Sequence, residues 1–283
     1  MEYAVSGAVR VKKFLWTYCK PLFMVIRRLR RARRQALDQA ESAQRKAAFQ
    51  SFIERHGAVV QDGPFRGMRY LTESLGSPLL PKLAGSYEAE IHPAIEEICA
   101  TGKAINIIDI GCDEGYYVVG MALRMPAARV FGFDINSASQ EKCRQLARMN
   151  GVEDRVTVEG LLTPARLNEI LRPGDLVICD CEGCEYALID PAHAPALRNV
   201  NMIVELHDSD FLELNITPSI LSRFRESHTV DLKTTGHRDA SQWSSVGFLD
   251  SPMRELAIDE RRVKGQQWAY LKATSHLASA HPA

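Results

Sequence analysis

The chain has 283 residues, 46% of them hydrophobic and 25% charged, with 35 Lys and Arg against 35 Asp and Glu. That composition excludes a collagen-like, low-complexity or globally disordered chain, and no run of about 18 apolar residues offers a normal spanning helix. Seven cysteines, an odd number spread over a long chain, do not make a small secreted disulfide scaffold and suit a reducing cytoplasm.

The zero net charge hides a division. Residues 1–37 hold ten Lys and Arg against one acid, Glu2, a balance of +9, and the remaining 25 bases face 34 acids, a balance of −9. Residues 1–56 read as a basic helical extension. Val11, Phe14, Leu15, Tyr18, Leu22, Val25, Ile26 and Leu29 recur at helical spacing, and Lys13, Lys20, Arg27, Arg31 and Arg34 fall on another face, with Pro21 breaking the run. Such a face suits packing on the body or a partner copy, or peripheral contact of residues 10–34 with an anionic inner-membrane surface. The acidic body argues against nucleic acid as a partner. No motif sets an oligomeric state.

Gln35 to about His56 reads as a surface helix with Gly57 as its stop. Residues 57–103 form a cap region. In it, Asp62-Gly63-Pro64 turns between two short strands, Ser77–Leu83 with its two prolines is loop, and Tyr87–Ala100 is a lead-in helix. Strands and helices then alternate over a core of 104–273: strands at Ile105–Ile110, Arg129–Asp134, Val156–Glu159, Asp175–Asp180 and Val200–His207, with helices over Tyr116–Arg124 and up to Asn150. Thr229–Lys233 and Gln267–Lys272 are late strands without a clear helix between them, and 274–283 is a flexible tail. The pattern predicts a doubly wound, Rossmann-like α/β sheet of seven strands, with ligands at the carboxyl ends of the strands.

Asp109-Ile110-Gly111-Cys112-Asp113-Glu114-Gly115 joins the first strand to its helix, and Asp134 ends the next strand, 19 residues past Gly115. A dinucleotide site needs a second glycine where Asp113 stands, and Asp113 and Glu114 there would repel a pyrophosphate. Asp109 instead suits a cationic ligand with an amino group, and Asp134 suits two ribose hydroxyls. The pattern resembles the first motifs of class I methyltransferases, which use S-adenosyl-L-methionine. Asp180-Cys181-Glu182-Gly183-Cys184-Glu185 after strand four, Glu205-Leu206-His207 after strand five and Gly85-Ser86-Tyr87-Glu88 upstream resemble the FkbM-type methyltransferases over about residues 58–273. Cys181 and Cys184 depart from that family's usual residues.

The resemblance implies an S-adenosylmethionine-dependent O-methyltransferase acting on a hydroxyl of a sugar, glycoconjugate or small natural product. It places Tyr87, Asp109, Gly111, Cys112, Asp113, Gly115, Asp134, Ile135 and Asp180 about the cofactor, and Asp180, Glu182, Glu205 and His207 at the transfer site. His207 is the preferred general base for its near-neutral reference pKa, with Glu205 to orient it or to hold substrate hydroxyls. The rival is Mg²⁺ held by Asp180, Glu182, Glu205, His207 and Asp208, and the preferred set has no metal ligand. Zinc on Cys179, Cys181 and Cys184 lacks a fourth ligand. The insertion after the sixth strand offers His237, Arg238 and Trp243 as lid or acceptor contacts. Two further readings are a catalytically weak scaffold docked to a membrane biosynthetic complex and a nucleic-acid methyltransferase.

Overall fold

The computed structural model describes residues 43–74, 78–208, 215–262 and 265–274. The basic face of residues 10–34 and the tail beyond Thr274 lie outside these residues. Among the described residues, no helix is long and apolar enough to cross a membrane.

Seven strands make one sheet in the order β3-β2-β1-β4-β5-β7-β6. They are β1 (Asn106–Ile110), β2 (Arg129–Phe133), β3 (Val156–Glu159), β4 (Leu176–Cys179), β5 (Asn201–Leu206), β6 (His228–Thr234) and β7 (Gln267–Ala273). The first five pair in parallel, and β7 lies antiparallel between β5 and β6. The apolar runs of β1 and β4 are buried at every residue, because helices cover both faces. Alternate residues serve opposite faces: Ile107, Leu176 and Ile178 join one buried cluster, and Ile108, Val177 and Cys179 the other.

The first face is covered by a helix over residues 43–56 (α1), by α3 (His92–Thr101), by α4 (Tyr116–Arg124) and by α5 (Ser137–Met149). The second is covered by α6 (Pro164–Ile170), α7 (Glu185–Leu188) and α8 (Ile216–Phe224). Residues 57–103 are not a separate body, since Phe65, Met68 and Ile95 share one buried cluster with Val118 and Met121.

Three expectations need correction. The segment read as loop contains α2 (Leu79–Ala84): Pro78 caps it and Pro81 sits in the first turn, where no backbone N–H is needed. The expected hairpin keeps its antiparallel pairing but not two full strands: one bridge, Val59 to Arg69, is flanked by the bonds from the Val60 N–H to Met68, from the Gly67 N–H to Val60 and from the Tyr70 N–H to Ala58. The helix ending at His56 is a surface helix as expected, seated on the body through the buried Ala48 and Phe52. A helix, α9 (Ser251–Ile258), does stand between β6 and β7. Asp250 caps it by accepting from the Met253 N–H at 3.0 Å, and its eight residues are too few for a visible period.

Candidate active site

Parallel strands bring their carboxyl ends to one edge, and the chemistry-bearing residues collect there. Ile110 ends β1, and the chain turns sharply at Gly111, with φ +85°. A Cβ on Gly111 would stand 1.8 Å from the Asp180 carbonyl oxygen, so glycine is demanded by the crossing of two backbones rather than by a ligand. Gly115 caps α4 at φ +94°, and its missing side chain makes room for Cys143. Cys112 faces the core beside Gly132.

The loop is braced from within. Asp134 accepts from the Asp113 N–H at 3.1 Å and the Asn136 N–H at 2.7 Å. Asp113 accepts from Ser139 Oγ at 3.0 Å, so it organises the loop. Glu114, expected to face a ligand, turns inward. It accepts from Lys82 Nζ at 2.8 Å, Ser74 Oγ at 2.8 Å and Tyr70 Oη at 3.1 Å. Burial would raise its pKa, but the Lys82 ammonium outweighs burial and holds it at about 2. Lys82 is itself buried beside the Tyr87 ring, 4.9 Å from the ring centre. Nothing in its sequence setting announces this role.

An apolar slot opens beside the loop, lined by Ile110, Gly111, Phe133, Ile135, Leu161, Leu162, Cys181, Cys184 and Leu188, with Asp134 and Gly160. Cys181 and Cys184 thus serve as slot walls. Cys179 Sγ and Cys181 Sγ stand 3.5 Å apart, and burial pushes both thiols up, Cys179 to about 11, which disfavours thiolate ligation. Asp109, on β1 just before Ile110, is buried, and its Oδ2 has no hydrogen-bond partner among the described residues. An apolar slot for a flat base, a carboxylate at its wall for ribose and an orphaned buried carboxylate for an ammonium fit S-adenosylmethionine.

The ends of β4 and β5 hold a second, charged assembly. His207 Nδ1 lies 2.8 Å from Glu185 Oε1. Glu185 also accepts from the Cys181 N–H at 3.0 Å and the Gly183 N–H at 2.7 Å. His207 Nε2 faces Asp180 Oδ1 at 3.6 Å, Glu182 Oε2 at 3.8 Å and Glu205 Oε2 at 3.8 Å. Burial opposes the charged ring, but Glu185 and then Glu205 outweigh it and push the pKa up to about 10. The expectation of a near-neutral general base is therefore corrected, because a ring protonated at pH 7 takes no proton. Burial, reinforced by Glu205, holds Asp180 well above the usual carboxylate range. Burial also raises Glu205, although Arg262 pulls it back.

Arg262 is the centre the sequence did not reveal. It contacts Glu88 and Glu205 and donates through Nε to Glu260 at 2.7 Å. Burial raises Glu88 to about 7 despite Arg262. Arg238 bridges Glu90 and Glu260, and Tyr87 lies between the Lys82 and Arg262 cations. Trp243 packs edge-on to His92, with ring centres 6.1 Å apart. Asp208, a candidate ligand, is exposed and instead accepts from the Thr217 N–H at 2.9 Å. Glu185 and Glu88 were visible as letters of the quoted motifs, whereas Arg262 and Lys82 carried no sequence signal. Glu88, Asp113, Glu182 and Arg261 all adopt positive φ, of 52°, 44°, 58° and 54°, and all lie at this edge. Local strain of this kind gathers where a site over-determines the chain. Next to the charged assembly is a cavity of about 720 Å³ bordered by His237, Arg238, Glu255, Glu260 and Arg262.

No curated protein matches the chain. Among solved structures, the O-methyltransferase from Bacillus cereus in complex with SAH is 16% identical, with a TM-score of 0.42, over 84% of this chain and 97% of that one. The O-methyltransferase TomG from Streptomyces achromogenes is 16% identical, with a TM-score of 0.42, over 64% and 80%. Cofactor-bound Rv0187 from MTB is 16% identical, with a TM-score of 0.43, over 62% and 78%. At these values the neighbours do not say what this chain acts on. Residues 101–200, which span β1 to β4 with the cofactor loop and the Asp180 turn, match the family model described as a methyltransferase domain. Residues 101–200 thus carry a methyltransferase domain, and the cofactor of this methyltransferase is S-adenosylmethionine.

Proposed function

We propose that the protein methylates a hydroxyl of a small molecule or glycan, in the manner of the FkbM-type enzymes. The supporting observation is the convergence of Asp180, Glu182, Glu205 and His207 beside the slot wall, where Gly111 and Asp180 touch through their backbones. The cofactor supplies an electrophilic methyl group on a sulfonium. Asp109 would hold its ammonium, Asp134 its ribose, and Ile135 with Cys181 and Cys184 its base. Once bound, S-adenosylmethionine would give its methyl group to the acceptor oxygen and keep the carbon–sulfur electron pair on sulfur, which leaves the hydroxyl proton for this chain's residues to take. In-line placement supplies most of the acceleration, because the leaving group needs no help.

Asp180 receives the proton. Its side chain is about a third exposed, whereas Glu205 is buried under Arg262. His207, fixed by Glu185, positions the carboxylates and offsets their charge. The cavity beside Arg238 and Arg262 holds the acceptor: its paired charges present both donors and acceptors, which suits a polyhydroxylated molecule. Incubation with methyl-labelled S-adenosylmethionine and a panel of sugars, glycosides and phenols should give alkali-stable methyl ethers by mass spectrometry. Asp180→Asn should lower kcat by about 10²–10⁴ with KM for the acceptor nearly unchanged. Label appearing on nitrogen or carbon, or a fully active Asp180→Asn enzyme, would reject the reading.

A further inference from the structure

The first described residues stand at the rim of the large cavity. Gln44, near the start of α1, borders it together with His237, Glu255, Asp259 and Arg262. Arg45 pins this end of α1 to the end of α9: its Nη1 donates to the Leu256 carbonyl at 2.7 Å and its Nη2 to Asp259 Oδ2 at 2.6 Å. Further along, Phe52 and His56 pack on Phe248, with ring centres 6.5 and 5.5 Å apart, and His56 Nε2 lies 3.0 Å from the Ser245 carbonyl oxygen. The helix is thus fastened along its length to the segment between β6 and β7. The chain that precedes it is tethered at the cavity mouth, where Gln44, His237 and Glu255 are exposed.

What precedes that point is the basic stretch of the sequence. A chain spans at most about 3.5 Å per residue, so Arg34, nine positions before Ala43, stays within about 30 Å of the mouth. Residues 1–37 carry a balance of +9 and the rest of the chain −9. A nucleic acid would use that charge alone. The same stretch also spaces Phe14, Leu22, Val25, Ile26 and Leu29 as an apolar row beside the cations, which suits the boundary between acyl chains and anionic head groups. Among the described residues the exposed large hydrophobic side chains are Ile105, Leu123, Tyr186 and Leu232, and none of them borders the cavity, so the mouth offers that row no exposed apolar seat. The acidic body is repelled by an anionic surface, and screening over about 10 Å confines the attraction to the neighbourhood of the basic stretch. The edge that carries this stretch is therefore the edge turned to the lipid.

We propose that an anionic lipid bilayer is the partner of this edge: residues 10–34 bind the lipid surface, and the cavity opens toward it between α1, the 235–238 loop and α9. That the cavity takes the acceptor rests on the function proposed above; the docking does not.

The test uses the full chain with vesicles of phosphatidylcholine alone and of phosphatidylcholine with about one third phosphatidylserine. The chain should float with the anionic vesicles at least tenfold more than with the neutral ones, and about 1 M NaCl should weaken that binding. A chain carrying R27E, R28E, R30E and R31E should lose more than tenfold of it, and one carrying F14A and L22A severalfold, with S-adenosylmethionine affinity unchanged in both by calorimetry. Hydrogen exchange reads the orientation without a variant. On anionic vesicles the amides of residues 43–46, 235–238 and 253–256 should slow at least fivefold, whereas those of 102–105 and 125–128, which precede β1 and β2 at the opposite edge of the sheet, should not. Equal flotation with neutral and anionic vesicles, unchanged binding of the charge-reversed chain, no slowing at the mouth, or tighter binding to a DNA duplex than to the vesicles overturns the docking. A chain that fails to dock but methylates soluble sugars leaves the proposed function standing. A chain that docks but places label on nitrogen or carbon keeps the lipid surface and loses that function.

Discussion

The two halves of the strand edge solve opposite problems. The β1–β2 half has a slot of apolar walls and few carboxylates, with Asp134 bracing the loop and Asp109 buried on β1. The β4–β5 half crowds Glu88, Asp180, Glu182, Glu185 and Glu205 around one imidazole and one guanidinium. The first half is nearly closed as it stands, with its apolar walls in contact across a narrow space. The second stays folded only while its charges are balanced, because an unpaired buried carboxylate costs several kcal/mol. The proposed roles put cofactor recognition in the first half and reaction in the second, so variants on the two halves should fail in different ways.

The largest effect should come from removing the balancing cation of the charged half. Arg262→Met leaves Glu88, Glu205 and Glu260 without their shared partner and should cost about 3–5 kcal/mol of stability, seen as a lower urea midpoint with an unchanged slope. A midpoint equal to wild type would mean that those carboxylates carry protons rather than charge.

Next is the brace that fastens α2 to the cofactor loop. Glu114 is held at about 2, below its unfolded value, so it stabilises the fold at pH above about 4.5 and that contribution fades as pH falls toward 2. The difference amounts to about 3 kcal/mol. Urea unfolding at pH 7, 4.5 and 3 should show wild type losing stability down this series. Lys82→Met should be weaker at pH 7 and should lose less on acidification. Parallel curves for the two proteins would remove the ion pair from the account.

The slot should fail more gently. Asp134→Ala should weaken S-adenosylmethionine binding by about 1–3 kcal/mol in calorimetry, with a fold still cooperative in urea. Unchanged affinity would place the ribose elsewhere. The smallest effect belongs to Asp208→Ala. Its carboxylate accepts from the first turn of α8 and lies outside the charged cluster, so about 1 kcal/mol of stability should go while turnover stays at the wild-type level. A large loss of turnover would bring Asp208 into the reaction after all.

Much of this edge is legible in the chain itself. The buried runs of β1, β4 and β5 announce a parallel sheet because apolar residues in unbroken succession can be covered only from both faces. Asp109, Asp134, Asp180, Glu205 and His207 are legible as strand-end residues for the same reason, since a strand's last residue in such a sheet opens on the ligand edge. Local spacing also places the turns at Gly111 and Gly115. The short helices α2 and α9 are not legible, because six and eight residues give too little period to outweigh two prolines or an irregular insertion.

What only the tertiary structure decided is the state of the charges. Lys82 and Glu114 are 32 positions apart, and Arg262 and Glu205 are 57 apart; nothing local in either stretch says that they meet. His207 reads as a base when it stands alone on β5. It becomes a protonated anchor once Glu185, 22 positions upstream, closes on its Nδ1 and three carboxylates gather at its Nε2. The sequence by itself determined which side chains reach the edge, because strand period and glycine turns are local properties of the chain. Protonation and pairing depend on desolvation and on distances between residues far apart in the chain, and these exist only after the sheet has closed.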